Sequence, residues 1–189
     1  SSSYWVVDPL DGTTNFAAGI PHWAISVARF VNGKPDAAFL DIPPLNQRIV
    51  ALKGKGVWIN NKPITTKNRF STNTACISLC SRSIRILQKN PEKPFPGKIR
   101  LRGVASLNMV SVAIGQTVAA LEATPKIWDL ASAWLVLSEL QCPLKWLTND
   151  PSQLTKGQDL TATDFPVLTA SCQEELNRLM PWTEALIKN

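Results

Sequence analysis

The run Ile127-Trp128-Asp129-Leu130-Ala131-Ser132-Ala133-Trp134-Leu135-Val136-Leu137-Ser138-Glu139-Leu140 reads as a helix that is apolar on nearly every side. Such a helix must be covered all round, so it lies in the middle of a domain. The 189 residues, 44 % apolar and 18 % charged, supply one domain with a sizeable core to cover it.

The segments before this helix read mainly as strands. Tyr4 to Val7 suits a buried strand that stops abruptly at Asp8-Pro9. Asn15 to Pro21 reads as a loop, and His22 to Val31 and Asp36 to Ile42 form a hairpin about Asn32-Gly33-Lys34-Pro35. Pro43-Pro44 ends it. Gln47 to Lys53 and Val57 to Asn60 follow around Gly54-Lys55-Gly56, with a turn over Asn60 to Pro63. This is an antiparallel meander of about four strands. A polar loop spans 65–73. Strands are predicted over 75–80, 98–102, 118–123, 143–147 and 165–170. Helices are predicted over 83–89, 104–116 and 172–188, the last bent or interrupted by Pro181, with a stiff Pro-rich loop over 90–97 and a polar loop over 150–164.

A net charge of +6 without any dense Lys/Arg run favours a small phosphate-bearing substrate at least as readily as nucleic acid, for which no recognition motif is present. Cys76, Cys80, Cys142 and Cys172 form no CxxC pair, and one histidine leaves little for zinc. Four cysteines fit a reducing compartment. No signal peptide or spanning helix is visible, so no membrane partner is expected. The chain starts without Met and directly in a strand, which reads as a fragment lacking its front end.

Asp8-Pro9-Leu10-Asp11-Gly12-Thr13-Thr14 puts two carboxylates within three residues at a strand end. Pro9 fixes φ between them, and Gly12 permits a backbone conformation closed to side chains. With the two threonine hydroxyls they form a hard-oxygen cluster of the kind Mg²⁺ prefers. The same dipeptides are common turn signals and the threonines could cap a helix, so spacing leaves both readings open. Asp129 is open in the same way, as an ordinary N-cap or as a ligand. Strand, Gly103, then helix presents backbone N–H groups to an anion. His22, at a strand start, reads as a packing or hydrogen-bonding residue.

The string Asp8 to Phe16 closely resembles the signature of the inositol monophosphatase family, Mg²⁺-dependent and Li⁺-sensitive phosphomonoesterases. Trp128-Asp129, followed by small residues and a Glu, resembles that family's second signature, in the right order. Gly103-Val104-Ala105 is similar to its Gly-Ser/Thr-Ala segment. The resemblance implies an α/β (α+β) sandwich of alternating helix and sheet layers, incomplete at its N-terminus. It implies one region over 1–189, with the strand meander and first motif in 1–70 and the second motif in 71–189. By the same resemblance Asp8 bridges two Mg²⁺ ions, Asp11 and Asp129 hold one of them, and the Leu10 carbonyl holds the other. Thr13 orients the attacking water, and backbone groups of Gly12 and Thr13 hold phosphate. Gly103, Val104 and Ala105 line the substrate pocket, and Glu122 contacts substrate hydroxyls. The implied reaction is hydrolysis of a small phosphate monoester, an inositol monophosphate, in the cytoplasm or a plastid stroma, by a homodimer. Two departures motivate an alternative, a catalytically impaired relative that binds phosphorylated ligands or a partner. Val104 lacks the hydroxyl usual there, and the family's metal-binding Glu upstream of the first signature is absent.

Overall fold

The computed structural model describes residues 3–66, 75–153 and 157–187. The first sheet is built from β1 (Ser3–Asp11), β2 (Ala24–Val31), β3 (Lys34–Ile42), β4 (Gln47–Leu52), β5 (Gly56–Ile59) and β6 (Lys62–Ile64), paired antiparallel in chain order. A short helix, α1 (Thr13–Ala17), lies between its first two strands. Turn chemistry sets the hairpins. Asn32-Gly33 and Asn60-Asn61 all have positive φ, which matches a two-residue turn to the twist of its strands.

The second sheet has the order β10-β11-β9-β7-β8. Its strands are β7 (Cys76–Leu79), β8 (Lys98–Arg100), β9 (Ala119–Glu122), β10 (Leu144–Trp146) and β11 (Val167–Ala170). β7 runs parallel to β8 and β9, whereas β11 is antiparallel to β9 and β10. The helices of this half are α2 (Arg85–Gln88), α3 (Ala105–Ala113), α4 (Ile127–Glu139) and α5 (Gln173–Ile187).

α3 and α4 pack on each other between the two sheets, α4 against β1 to β5 and α3 against β7, β9 and β11. The alternation along β2 explains the first interface: Ala24, Ser26, Ala28 and Phe30 are buried while their neighbours face the other way. Leu130, Val136 and Leu137 of α4 share a core with Leu40, Ile49 and Met109. The buried hydroxyls of Ser26 and Ser132 meet at 2.6 Å. At the far end of α4, the Glu139 carboxylate accepts the N–H groups of Gly54 and Gly56 at 2.8 and 2.9 Å. A second core, with Ile77, Leu79, Leu121 and Leu168 against Leu179 and Trp182, seats α5 on the second sheet. The layered α+β arrangement and the buried middle helix are as expected.

Several local expectations are corrected. β1 does not stop at Asp8: it continues through Pro9 to Asp11, with a register shift against β2 between Asp8 and Asp11. Pro9 is tolerated there because β1 is an edge strand and the irregularity removes a ladder bond. Nor is its start buried, since Trp5 and Val7 are 62 % and 50 % exposed on the sheet face turned away from α4. Asn15 to Ala17, expected in a loop, lie in the helix Thr13–Ala17, started by left-handed Gly12. Lys62 and Pro63, expected in a turn, join Ile64 in a strand that pairs with β5, so the sheet has six strands rather than about four. α5 continues uninterrupted across Pro181. Residues 67–73 of the expected loop over 65–73, 154–156 of the loop over 150–164, and the end of the last helix at 188 lie outside the described residues.

Candidate active site

The irregular end of β1 brings Asp8 and Asp11 to one place. Asp8, 9 % exposed, accepts the Leu10 N–H on Oδ1 at 3.0 Å, which closes the turn that separates the two carboxylates. Asp11, 7 % exposed, reaches across the fold and accepts the Ser106 N–H at 2.8 Å. This answers what the strand–glycine–helix arrangement binds: the first anion at the N-terminus of α3 is the protein's own Asp11. Asp129 is a correction to the N-cap reading. It sits at the third position of α4, where its Oδ2 accepts the Lys126 N–H at 2.8 Å.

Asp8, Asp11 and Asp129 each place one carboxylate oxygen within 4.8 Å of the others. Asp11 and Asp129 border a cavity of about 310 Å³, together with Glu122, Gly103, Val104 and Ala105. The electrostatics are those of buried, crowded carboxylates. Burial pushes Asp11 up to about 6; Asp8 repels it further, and the Ser106 N–H works against both. Burial raises Asp129 to about 7, with Asp11 and Asp8 adding to the effect. Burial raises Glu122 to about 8, opposed by the Asn108 amide that donates to it at 2.8 Å. Three hard carboxylates, two from the end of β1 and one from α4, with Asp11 and Asp129 both raised, fit a divalent metal such as Mg²⁺.

The two motifs are clamped together by Asn15. Its buried amide donates to the carbonyls of His22 and Arg102, both at 2.8 Å, so the turn after β1 is tied to the backbone just before Gly103. Gly103 has φ of +76°, and a Cβ there would stand 3.1 Å from the Asn15 side chain. Gly12 is packed as tightly: a Cβ on it would lie 2.8 Å from the buried Val104 side chain.

A sequence model of the inositol monophosphatase family matches residues 1–176. The chain belongs to this family. It is 32 % identical to the Nus factor SuhB of Pseudomonas aeruginosa over 91 % of its own length and 68 % of that protein. It is 31 % identical to inositol monophosphatase 1 of Bos taurus over 85 % of its length and 61 % of that protein. The crystal structure of inositol monophosphate-bound SaIMPase-II superposes with a TM-score of 0.76 at 27 % identity, covering all of this chain and 73 % of that one. Across such curated relatives the chain spans between 52 % and 68 % of their length.

In this family member the expected site residues do not all stand alike. Asp8, Asp11 and Asp129 converge, and Gly103, Val104, Ala105 and Glu122 line the adjoining cavity. Thr13 is exposed at the start of α1, and it is Thr14 that reaches the cavity wall. Leu10 meets the cluster through its N–H on Asp8. Sequence reasoning assigned no role to Asn15, Ser106, Asn108 or Arg82. Ser106 and Asn108 follow Gly103 on the first turns of α3, so their spacing from it was the available signal. Arg82 lines the cavity and donates to the Thr124 hydroxyl at 2.9 Å, a contact between remote segments that no local pattern marks.

Proposed function

We propose that this chain carries the metal and substrate site of a phosphate monoester hydrolase that depends on Mg²⁺ and acts on an inositol monophosphate. The observation that carries the proposal is the meeting of Asp8, Asp11 and Asp129, the last two bordering a cavity large enough for a small ester. Family membership supports a phosphatase-type function, and similarity to a bovine inositol monophosphatase supports the substrate class.

In this reading Asp8, Asp11, Asp129 and the Leu10 carbonyl hold Mg²⁺. The bound metal supplies charge neutralisation for the phosphate and acidification of a water. The protein's own part is positioning. The Ser106 N–H fixes Asp11 and the Lys126 N–H fixes Asp129, so the carboxylates keep their separation while they wait for a cation. Gly12 and Thr13 offer backbone N–H groups to the phosphate, and the Thr13 hydroxyl orients the attacking water. Gly103, Val104 and Ala105 wall the organic part of the substrate. Glu122, held by Asn108 and protonated near neutral pH, presents a donor as well as an acceptor to a substrate hydroxyl.

A second reading, binding of a phosphorylated ligand without turnover, is favoured by Val104. It puts a buried apolar side chain against Gly12 where the family signature usually has a hydroxyl. Phosphate release from inositol 1-phosphate by the 189-residue chain separates the two. Release that needs Mg²⁺ and is lost in Asp8→Asn and in Asp129→Asn is the result expected of a chain that also carries the family's upstream metal-binding Glu. Binding without release selects the second reading, and release by either variant at the parent rate sinks the ligand assignment.

A further inference from the structure

Each carboxylate of the Asp8, Asp11 and Asp129 cluster has a buried serine as its neighbour. Ser106 holds Asp11 Oδ2 through its N–H at 2.8 Å, yet its own hydroxyl oxygen is buried and makes no hydrogen bond. One rotation, about Cα–Cβ, carries that hydroxyl among its staggered positions on the residue that already touches the acid. Ser26, also buried, stands directly opposite Asp8 across β1 and β2. Residues paired in this way share a sheet face, with Cβ atoms about 4.5–5.5 Å apart. Ser132, buried on α4, follows Asp129 by three residues, which puts the two on one side of the helix. The Ser26 and Ser132 hydroxyls meet at 2.6 Å, and neither bonds any other group among the described residues. A hydroxyl has one hydrogen to donate. Within the pair one hydrogen is used and the other is left, and the Ser106 hydrogen is left as well. Two buried hydroxyl hydrogens therefore lack an acceptor beside a cluster of acids. For packing alone, alanine at these positions would serve better, since a buried polar group without its bond destabilises the fold.

We propose that Ser26, Ser106 and Ser132 are positioning residues for the metal: the Ser106 hydroxyl donates to Asp11, the Ser26–Ser132 pair donates its remaining hydrogen to the Asp8–Asp129 pair, and together they hold the carboxylates in the orientation that binds a cation. The inference rests on the metal-dependent function proposed above and adds the groups that tune its site. A bond from a hydroxyl to a carboxylate is charge-assisted, and groups that orient metal ligands in this way are worth about 10- to 100-fold in metal affinity. The serines therefore trade stability of the metal-free fold for affinity, and the two quantities are expected to move in opposite directions when a hydroxyl is removed.

Two measurements on the 189-residue chain test it. Electron paramagnetic resonance of free Mn²⁺, used in place of Mg²⁺, gives the metal affinity at pH 7.5, and thermal melting in EDTA reports on the fold alone. The variants are Ser106→Ala and the double change Ser26→Ala with Ser132→Ala. Each is expected to bind Mn²⁺ about 10-fold or more weakly than the parent while melting at the parent's temperature or above it, because alanine removes a buried hydroxyl that the metal-free fold leaves short of bonds. Ser106→Thr, which restores the hydroxyl, is expected to bind within about threefold of the parent. A purely structural role predicts the reverse pattern, a lower melting temperature with unchanged affinity. Affinity within about twofold of the parent in either alanine protein overturns the positioning role. Asp8→Asn separates this failure from that of the function it rests on. If Asp8→Asn loses the metal while the alanine proteins keep it, the positioning role alone fails. If Asp8→Asn binds Mn²⁺ as the parent does, or the parent binds none, the metal-dependent function fails and the positioning role with it.

Discussion

Glu122 allows the electrostatics of the site to be measured with no ligand present. Its carboxyl is 3 % exposed and raised from an ordinary 4.5 to about 8, by burial first, with Asp11 and Asp129 adding and Asn108 opposing. A carboxyl whose pKa rises on folding stabilises the folded state while it is protonated. That contribution is complete below pH 4.5 and is lost as pH climbs towards 8. Each pH unit in this window removes about 1.4 kcal/mol, so a protein at pH 7 has lost about 3 kcal/mol through this one group. Glu122→Gln keeps the volume and the oxygen that accepts from Asn108, and removes the titration. Urea unfolding in EDTA is the assay. The two proteins are expected to match near pH 4.5 and to diverge steadily, with Glu122→Gln about 3 kcal/mol more stable at pH 7. Asp11 and Asp129, also raised, leave Glu122→Gln with a shallower slope of the same sign. Equal stabilities at pH 7 and 8 would refute the idea that burial holds Glu122 protonated.

Three other outcomes follow from the same geometry. Asn15→Ala strips two half-buried carbonyls of their donor and should cost about 1–3 kcal/mol, read as a lower urea midpoint; a change under about 0.5 kcal/mol would show that the clamp between the motifs is dispensable. Gly12→Ala combines a positive φ with a 2.8 Å approach to Val104 and should cost about 1–3 kcal/mol, of which Val104→Ala in the same chain recovers only the steric part. Mg²⁺ affinity should tighten about 10-fold or more from pH 6 to pH 8, because Asp11 and Asp129 must shed protons near 6 and 7; calorimetry in buffers of different ionisation heat should detect those protons, and a pH-independent affinity would count against these ligands.

The hairpins were legible because their instructions are local. Asn32-Gly33 and Asn60-Asn61 adopt the left-handed turns their residues favour, and Pro43-Pro44 ends a strand as expected. α4 was legible from its own apolar surface. What the sequence concealed depends on partners. The exposed side of Trp5 and Val7 follows from which sheet face α4 covers, and a run of four β-formers carries no mark of that. β6 exists because Asn60-Asn61 folds Lys62 to Ile64 back onto β5, in a stretch whose Pro63 argued for a turn. At the site, the carboxylates could be named from two short motifs, but the residues that hold them could not. Ser106 is 95 positions from Asp11, and Asn15 is 87 from Arg102; neither pair leaves a periodic trace.

The site is placed where the fold can tolerate it. Asp11 and Asp129 each take a hydrogen bond from the first turn of a helix or from its cap, on α3 and α4 respectively. A helix N-terminus favours a carboxylate by about 0.3–1 kcal/mol, which is smaller than the penalty implied by pKa values raised to about 6 and about 7. The helix ends therefore orient these groups without compensating their burial. The compensation comes from elsewhere: α3 and α4 are the two helices wedged between both sheets, and their far ends are fixed by apolar packing and by Glu139 on the Gly54 and Gly56 N–H groups. Helices held so firmly at one end can carry an unfavourable charge cluster at the other. A cation entering between Asp8, Asp11 and Asp129 would relieve that repulsion without having to assemble the site, because the fold already holds the three side chains together.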